Sequence, residues 1–409
     1  MTQKITLKQT ITLPLMVFYG MGTILGAGIY VLISKVVAIS GMYAPVSFLL
    51  SAVIVSFSAF SYAELSSRFP RSAGEAVYVQ QAFAKRALST VVGFGTVATG
   101  LVSAAAIANG FVGYLHVFFS IPDSLVILLL VVGLALIACW GVAESVTLAV
   151  VITVIEIIGL FIIIFSAGDK FLTIGEHWEE MIPPFSLTVW LNITVGAFLA
   201  FYAYIGFEDM VNMAEEVKEP RRTLPLAIVI ALVFSTLLYL LVAIAAIVSL
   251  PIEELAVSEA PFASIIEQNT ELPVALITAI SLIAIVNGAL VQIIMGSRVI
   301  YGMADKGMIW PIFSYVHPVT RTPILATLLV AGIVLILALW LPLETLAKIT
   351  SFIILLVFAL VNLSLWVIKG REKEIATADK ERHEVRYPRW VPLVGFLLCI
   401  SFILVQSFY

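Results

Sequence analysis

Long apolar runs, parted by short polar or charged stretches, occupy almost the whole chain, and each approaches the roughly 20 residues a helix needs to cross a bilayer. Eleven are read: Leu13–Ile39, Ala44–Leu65, Thr90–His116, Leu125–Trp140, Val146–Ala167, Asn192–Ala214, Leu224–Leu250, Pro273–Ala304, Pro323–Leu341, Leu346–Ile368 and Pro392–Phe408. The pattern predicts an all-α polytopic membrane protein with a single transmembrane domain over residues 1–409. The runs group as five (13–167), five (192–368) and one additional span (392–408). Because five is odd, the second group runs in the opposite sense to the first, which predicts a five-plus-five inverted repeat.

The first run carries Gly26, Ala27 and Gly28 near its middle, where a membrane helix is easiest to break. An opened backbone at that depth is tolerated only where protein buries it or where it lines a cavity. Two readings stand: glycines that let a ligand approach the main chain, and a GxxxG spacing of Gly22 and Gly26 that lets another helix pack close. The sixth run has Gly206 near its middle, followed at once by Glu208 and Asp209. Two acids in hydrocarbon cost several kcal/mol, so they are expected to face a cavity or opened backbone. Interrupted first and sixth helices in matching places of two inverted halves favour the first reading, a site between the halves at the membrane midplane.

Composition narrows the class further. With 61% hydrophobic and 12% charged residues the chain lies far from soluble proteins. With the N-terminus placed in the cytoplasm, nineteen of the 22 Lys and Arg fall on that side, leaving Lys35, Lys170 and Lys348 outside. The C-terminus is then expected outside. Asp169, Glu176, Glu179, Glu180, Glu253, Glu254 and Glu259 gather in two acidic outer stretches, 168–190 and 250–271. The basic stretches Arg68–Arg86, Lys218–Arg222 and Lys369–Arg389 are read as fixing topology and touching anionic lipid. The first run is too long for a signal-peptide core, so it is expected to remain as an anchor. The two cysteines, Cys139 and Cys399, support neither a disulfide framework nor a metal cluster. No phosphate-cradling loop, zinc spacing or nucleophile elbow appears, so no enzyme activity, cofactor, metal or nucleic-acid partner is expected.

Four stretches carry a family resemblance. GTILGAGIY from Gly22 resembles the first-span signature of the amino acid/polyamine/organocation permeases. YAELSSRFPRSAGEAVYV from Tyr62, AYIGFEDMVNMAEEVKEPRRTLP from Ala203 and SRVIYGMADKGMIWPIFSYVHPVTRTP from Ser297 resemble their second-span exit, sixth span, and eighth-to-ninth-span passage. The resemblance runs from Leu13 to about Ile368. It implies a leucine-transporter-like fold and secondary transport of an amino acid across the plasma membrane. The substrate's carboxylate would meet the free amides of Ala27, Gly28 and Ile29 beside Ile24 and Gly26, since a half-helix N-terminus suits an anion. Its ammonium would meet carbonyls of Tyr202 to Ile205, next to Gly206.

The resemblance also places Tyr202 in the pocket, with Phe201 beside it; the alternative is an ordinary lipid-facing aromatic, a role that Phe201 and Tyr204 would serve as well. Glu208 is either a gating or coupling acid or a structural partner of the unwound backbone. Asn109, Asn287 and Ser351 are either pocket contacts or interhelical glue, and small Ala289 stands where some relatives carry a bulky aromatic. Glu156 sits alone in the apolar VITVIEIIGLFIII, where burial favours its neutral form, so it is a candidate proton carrier or else a neutral link between helices. Leu282 to Gly296 contains no Ser or Thr, which disfavours sodium ligation of the kind known in that fold, while Asn287, Gln292 and Glu156 still offer oxygens. Proton coupling or exchange is therefore expected, with a sodium symporter or a non-transporting amino-acid sensor as alternatives. A neutral amino acid is the preferred substrate. Relatives usually have a twelfth span that takes part in self-association, so the oligomeric state stays open.

Overall fold

The computed structural model describes residues 9–71, 74–140, 146–168, 170–171, 181–305, 309–320, 322–374 and 385–407. Of the charged residues counted above for topology, Lys4, Lys8, Lys306, Arg321, Lys380, Arg382, Asp169, Glu176, Glu179 and Glu180 lie outside them. The described residues are helical apart from short connections and one bridge. In chain order the α-helices are α1 (Leu13–Leu25), α2 (Ala27–Ser40), α3 (Ala44–Arg68), α4 (Gly74–Phe83), α5 (Arg86–Leu115), α6 (Asp123–Trp140) and α7 (Val146–Ser166). They continue as α8 (Leu187–Ala200), α9 (Pro220–Ser249), α10 (Ile252–Val257), α11 (Pro261–Asn269), α12 (Val274–Asp305), α13 (Ile324–Trp340), α14 (Leu343–Glu374) and α15 (Trp390–Ser407).

Eight helical stretches among the described residues are long and apolar enough to cross a membrane, and α13 and the Trp390–Gln406 part of α15 are shorter apolar helices. The first stretch, Leu13–Arg68, is 56 residues and bends at Gly26 and again at the 3-10 turn Gly41–Tyr43. At 1.5 Å per residue it has about 84 Å of helix, far more than one crossing uses. Leu129 and Leu136 on α6 and Phe165 on α7 are largely exposed. Outward aliphatic faces of this kind suit lipid, and Trp140, Trp340 and Trp390 stand exposed at helix ends where amphipathic rings suit a headgroup zone.

Inside, α3 runs against α9, α5 lies along α12 and α14, and α15 closes against α14 and α3. Rings of Tyr62, Phe207, Phe358, Phe201 and Phe402 interlock through centroid distances of 5.2 to 6.1 Å. The stretches read as loops hold helices of their own. Between Arg68 and Arg86, α4 buries Gly74, Glu75, Tyr78, Val79 and Ala82 on one face. That spacing is an amphipathic helix lying on the bundle, too short at ten residues to cross it. The acidic stretch 250–271 forms α10 and α11, and Phe262, Ile265 and Ile266 of α11 are buried.

Candidate functional site

The first membrane stretch breaks at Gly26, whose φ of −37° and ψ of −143° end α1 and begin α2. The sixth breaks differently. Helix α8 tightens into a 3-10 turn at Phe201–Tyr204, Ile205 is extended, Gly206 has φ of +130°, and a second 3-10 helix follows at Phe207–Met213.

These two breaks are in backbone contact. A Cβ on Gly206 would lie 2.3 Å from the Thr23 carbonyl oxygen, and one on Gly28 would lie 2.6 Å from the Ala203 Cα. Only residues without a side chain allow that approach, and Gly206 needs its positive φ as well. From α9, the Tyr239 hydroxyl reaches both breaks, 2.5 Å from the Ile24 carbonyl oxygen and 2.8 Å from that of Ala203. It has one proton for two acceptors. Both carbonyls therefore keep lone-pair capacity facing the junction. The Tyr202 carbonyl accepts the Ile205 N–H at 3.2 Å.

Beside the junction is a cavity of about 440 Å³, in the size range of small-molecule sites. Ile24, Gly26, Ala27 and Gly28 border it from the first break, and Tyr202 and Ile205 from the sixth. Asn287 borders it from α12. The first amides of α2 have no earlier carbonyl to meet, and no side chain caps them. Tyr202 is tethered to α5, its hydroxyl 2.9 Å from Ser103 Oγ and donating to the Ser103 carbonyl at 3.1 Å. Ile107, Phe111, Ile152, Val286 and Leu290 make most of the remaining wall apolar, while Asp209 is its one carboxylate among the described residues.

Other expected residues are not among those that border this cavity. Asn109 donates to the carbonyls of Ala338 at 3.1 Å and Leu341 at 3.3 Å, linking α5 to the end of α13. Phe201 packs on Phe358 and Phe402 in the core. Ile29, Ala289 and Ser351 are buried, and Ser351 Oγ has no hydrogen-bond partner among the described residues. Glu208 accepts the Gly206 N–H at 2.8 Å, so its carboxylate satisfies the opened backbone. Glu156 is fully buried on α7. Its backbone carbonyl accepts the Tyr30 hydroxyl at 2.8 Å, and Asn287 is its polar neighbour. Neither carboxylate oxygen of Glu156 makes a hydrogen bond of good geometry among the described residues.

Tyr239 and Ser103 escaped the sequence reading. Each is one hydroxyl in an apolar run, with nothing local to distinguish it from interhelical glue.

Apolar helices that expose aliphatic faces and open at two mid-helix breaks onto an internal cavity define an integral, multi-pass membrane protein. The profile of the amino acid permease family matches residues 10–409, and the chain belongs to that family. The motif resemblance is thereby borne out. Similar proteins include cationic amino acid transporter 3, mitochondrial, of Arabidopsis thaliana, 28% identical over 388 residues that cover 89% of this chain and 63% of that one. The methylthioribose transporter of Bacillus subtilis is 26% identical over 409 residues, 94% of this chain and 85% of its own. Branched-chain amino acid permease BcaP of the same bacterium is 24% identical over 383 residues, 88% and 81%. The chain spans about three fifths of the length of the plant cationic transporters it matches.

Proposed function

We propose that the chain is a secondary active transporter that carries a neutral amino acid across the plasma membrane by alternating access, driven by protons or by exchange. The observation that carries this reading is the contact of two helix breaks beside a cavity of small-molecule size. The amides of Ala27 to Ile29 bind the carboxylate there, and the carbonyls of Ile24 and Ala203 share the ammonium with the Tyr239 hydroxyl. The wall of Tyr202, Ile107, Phe111 and Val286 takes an apolar side chain. Substrate favours closure to the extent that it binds the closed form more tightly.

Eight long apolar stretches, the first with helix enough for two crossings, and two shorter apolar helices support eleven spans in a five-plus-five-plus-one order. The charge split supports a cytoplasmic N-terminus and an outer C-terminus. Names of relatives, among them cationic amino acid transporters and a branched-chain amino acid permease, support amino-acid transport. Glu156, with Asn287 beside it, is the coupling group: protonated, it is neutral in its apolar setting, and on losing the proton it calls for a cation or water. Glu208 holds the sixth break open and serves as a gate.

The test is uptake of a labelled amino-acid mixture into proteoliposomes under an imposed pH gradient, sodium gradient or internal amino-acid load, for wild type and Glu156→Gln. A pH gradient should drive accumulation in wild type, while the variant keeps exchange and loses that accumulation. Accumulation driven by sodium alone would overturn proton coupling. Binding of the mixture without uptake under every gradient would make the chain a sensor.

A further inference from the structure

Glu75 lies on α4, outside the membrane-spanning helices, yet its side chain is buried. Helix α4 rests on α5 and α14, and its first residue abuts Phe207–Met213, the arm of the sixth break that is inner in the proposed topology: a Cβ on Gly74 would lie 2.4 Å from Val211 Cγ2. The Tyr62 hydroxyl of α3 donates to Glu75 Oε1 at 3.4 Å. Glu208 and Asp209, on that arm, put like charge against Glu75. Neither α5 nor α14 brings a titratable group to bear on it among the described residues, and Lys369 of α14 is engaged by Glu64.

A second feature marks the spot. The Tyr78 hydroxyl is buried, has no hydrogen-bond partner among the described residues, and feels the charge of Glu75. The Tyr62 ring joins the two, 6.2 Å from the Tyr78 ring and 5.4 Å from that of Phe207. Asp209 also borders the cavity. Glu75 is thus linked by charge to a residue that borders the proposed substrate site, although it lies on a helix that crosses no membrane.

We propose that Glu75 is a proton-binding residue that latches α4 onto the inner arm of the sixth break and so controls the mouth of the cavity at that end. Neutral, Glu75 packs beside Tyr62, Tyr78 and the two acids of the arm. Ionised, it repels Asp209 and Glu208 and draws in water, and α4 separates from the arm. Its use in gating rests on the transport reading above; its test does not.

Burial raises the Glu75 carboxyl to about 7, with Asp209 adding to the rise and its own backbone N–H and Tyr62 opposing it. Burial therefore favours the protonated acid. The latch is at full strength below the ordinary carboxylate value of 4.5 and weakens as pH rises through 7. Packed and released values of about 7 and 4.5 require the opening equilibrium to rise about tenfold between pH 6 and pH 8.

The experiment uses the full chain in phospholipid nanodiscs, with Cys139→Ser and a reporter thiol from Ala149→Cys on the cavity wall. A small polar thiol reagent is applied across that pH range with and without Glu75→Gln, which fixes the neutral form. The labelling rate with Glu75 present, divided by that of the Gln variant, should rise about tenfold from pH 6 to pH 8, the thiol's own titration cancelling in the ratio. In parallel, infrared titration of the unaltered protein should show one protonated carboxyl lost with a midpoint near 7, and Glu75→Asp should keep that transition where the Gln variant removes it. A ratio that does not change with pH, or matching infrared titrations for wild type and Glu75→Gln, overturns the proposal. If no amino acid is transported, these readouts still decide the latch.

Discussion

Gly206 sits where two backbones meet, and no other residue type satisfies both its φ of +130° and its contact with the Thr23 carbonyl. Gly206→Ala should cost about 1–3 kcal/mol from the backbone conformation alone. The overlap with Thr23 adds to it, so the variant should insert in the membrane but lose uptake and melt earlier in detergent. Tyr239→Phe removes the one donor shared by the Ile24 and Ala203 carbonyls. An unsatisfied buried polar group costs about 1–3 kcal/mol. Uptake by this variant should show a raised KM, because the carbonyls proposed to hold the ammonium lose their fixed spacing, whereas an unchanged KM would remove them from the binding reading. The glycines were legible in the sequence because a small residue in mid-membrane is itself a signal. Tyr239 was not, because its role is set by two carbonyls 36 and 215 residues away in the chain.

Among the elements, the long apolar runs were read nearly to their ends, since burial in lipid demands an unbroken hydrophobic stretch. The helices lying across the bundle were hidden. The α4 stretch has the charged neighbours of a loop, and its apolar face shows only once α3, α5 and α14 supply something to bury it. The segment between α14 and α15 was likewise read as a lipid-facing basic loop, yet part of it is strapped to the bundle. Glu64 of α3 accepts Arg68 Nη2 and Lys369 Nζ, each at 2.5 Å, and the Tyr387 N–H at 2.9 Å. Arg389 lies over the Trp366 ring at 5.0 Å. Removing one partner of a buried ion pair costs about 3–5 kcal/mol. Glu64→Gln leaves two buried cations facing a neutral amide, so it should lower the melting temperature by a clear margin, and Lys369→Met in the same background should recover part of it. A second substitution without benefit would show that Lys369 is not held by Glu64.

At the scale of the whole molecule, the charge asymmetry makes a prediction about sidedness. In intact cells an impermeant thiol reagent should label Glu253→Cys on α10 and spare Lys85→Cys beside α4, and the reverse result would invert the orientation. The cavity was legible only as an intersection of two breaks. Which walls it has depended on how α5, α7 and α12 pack around it. That is why Asn109, with its two partners at the end of α13, and Phe201, in the aromatic core, fall outside it.

One contact outside the cavity lining bears on how the two broken helices are joined. Ile11, just before α1, forms a parallel bridge to Val217, just after the inner arm: Ile11 N–H donates to the Glu216 carbonyl at 3.1 Å and Lys218 N–H to the Ile11 carbonyl at 2.8 Å. The two broken helices are thus stitched at their basic ends as well as at their middles. A pair of rods joined at two points has lost its freedom to rotate separately, so a force felt by either becomes a displacement of both. On the proposed transport reading, an amino acid that engaged only one break would still act on the two arms as a single lever.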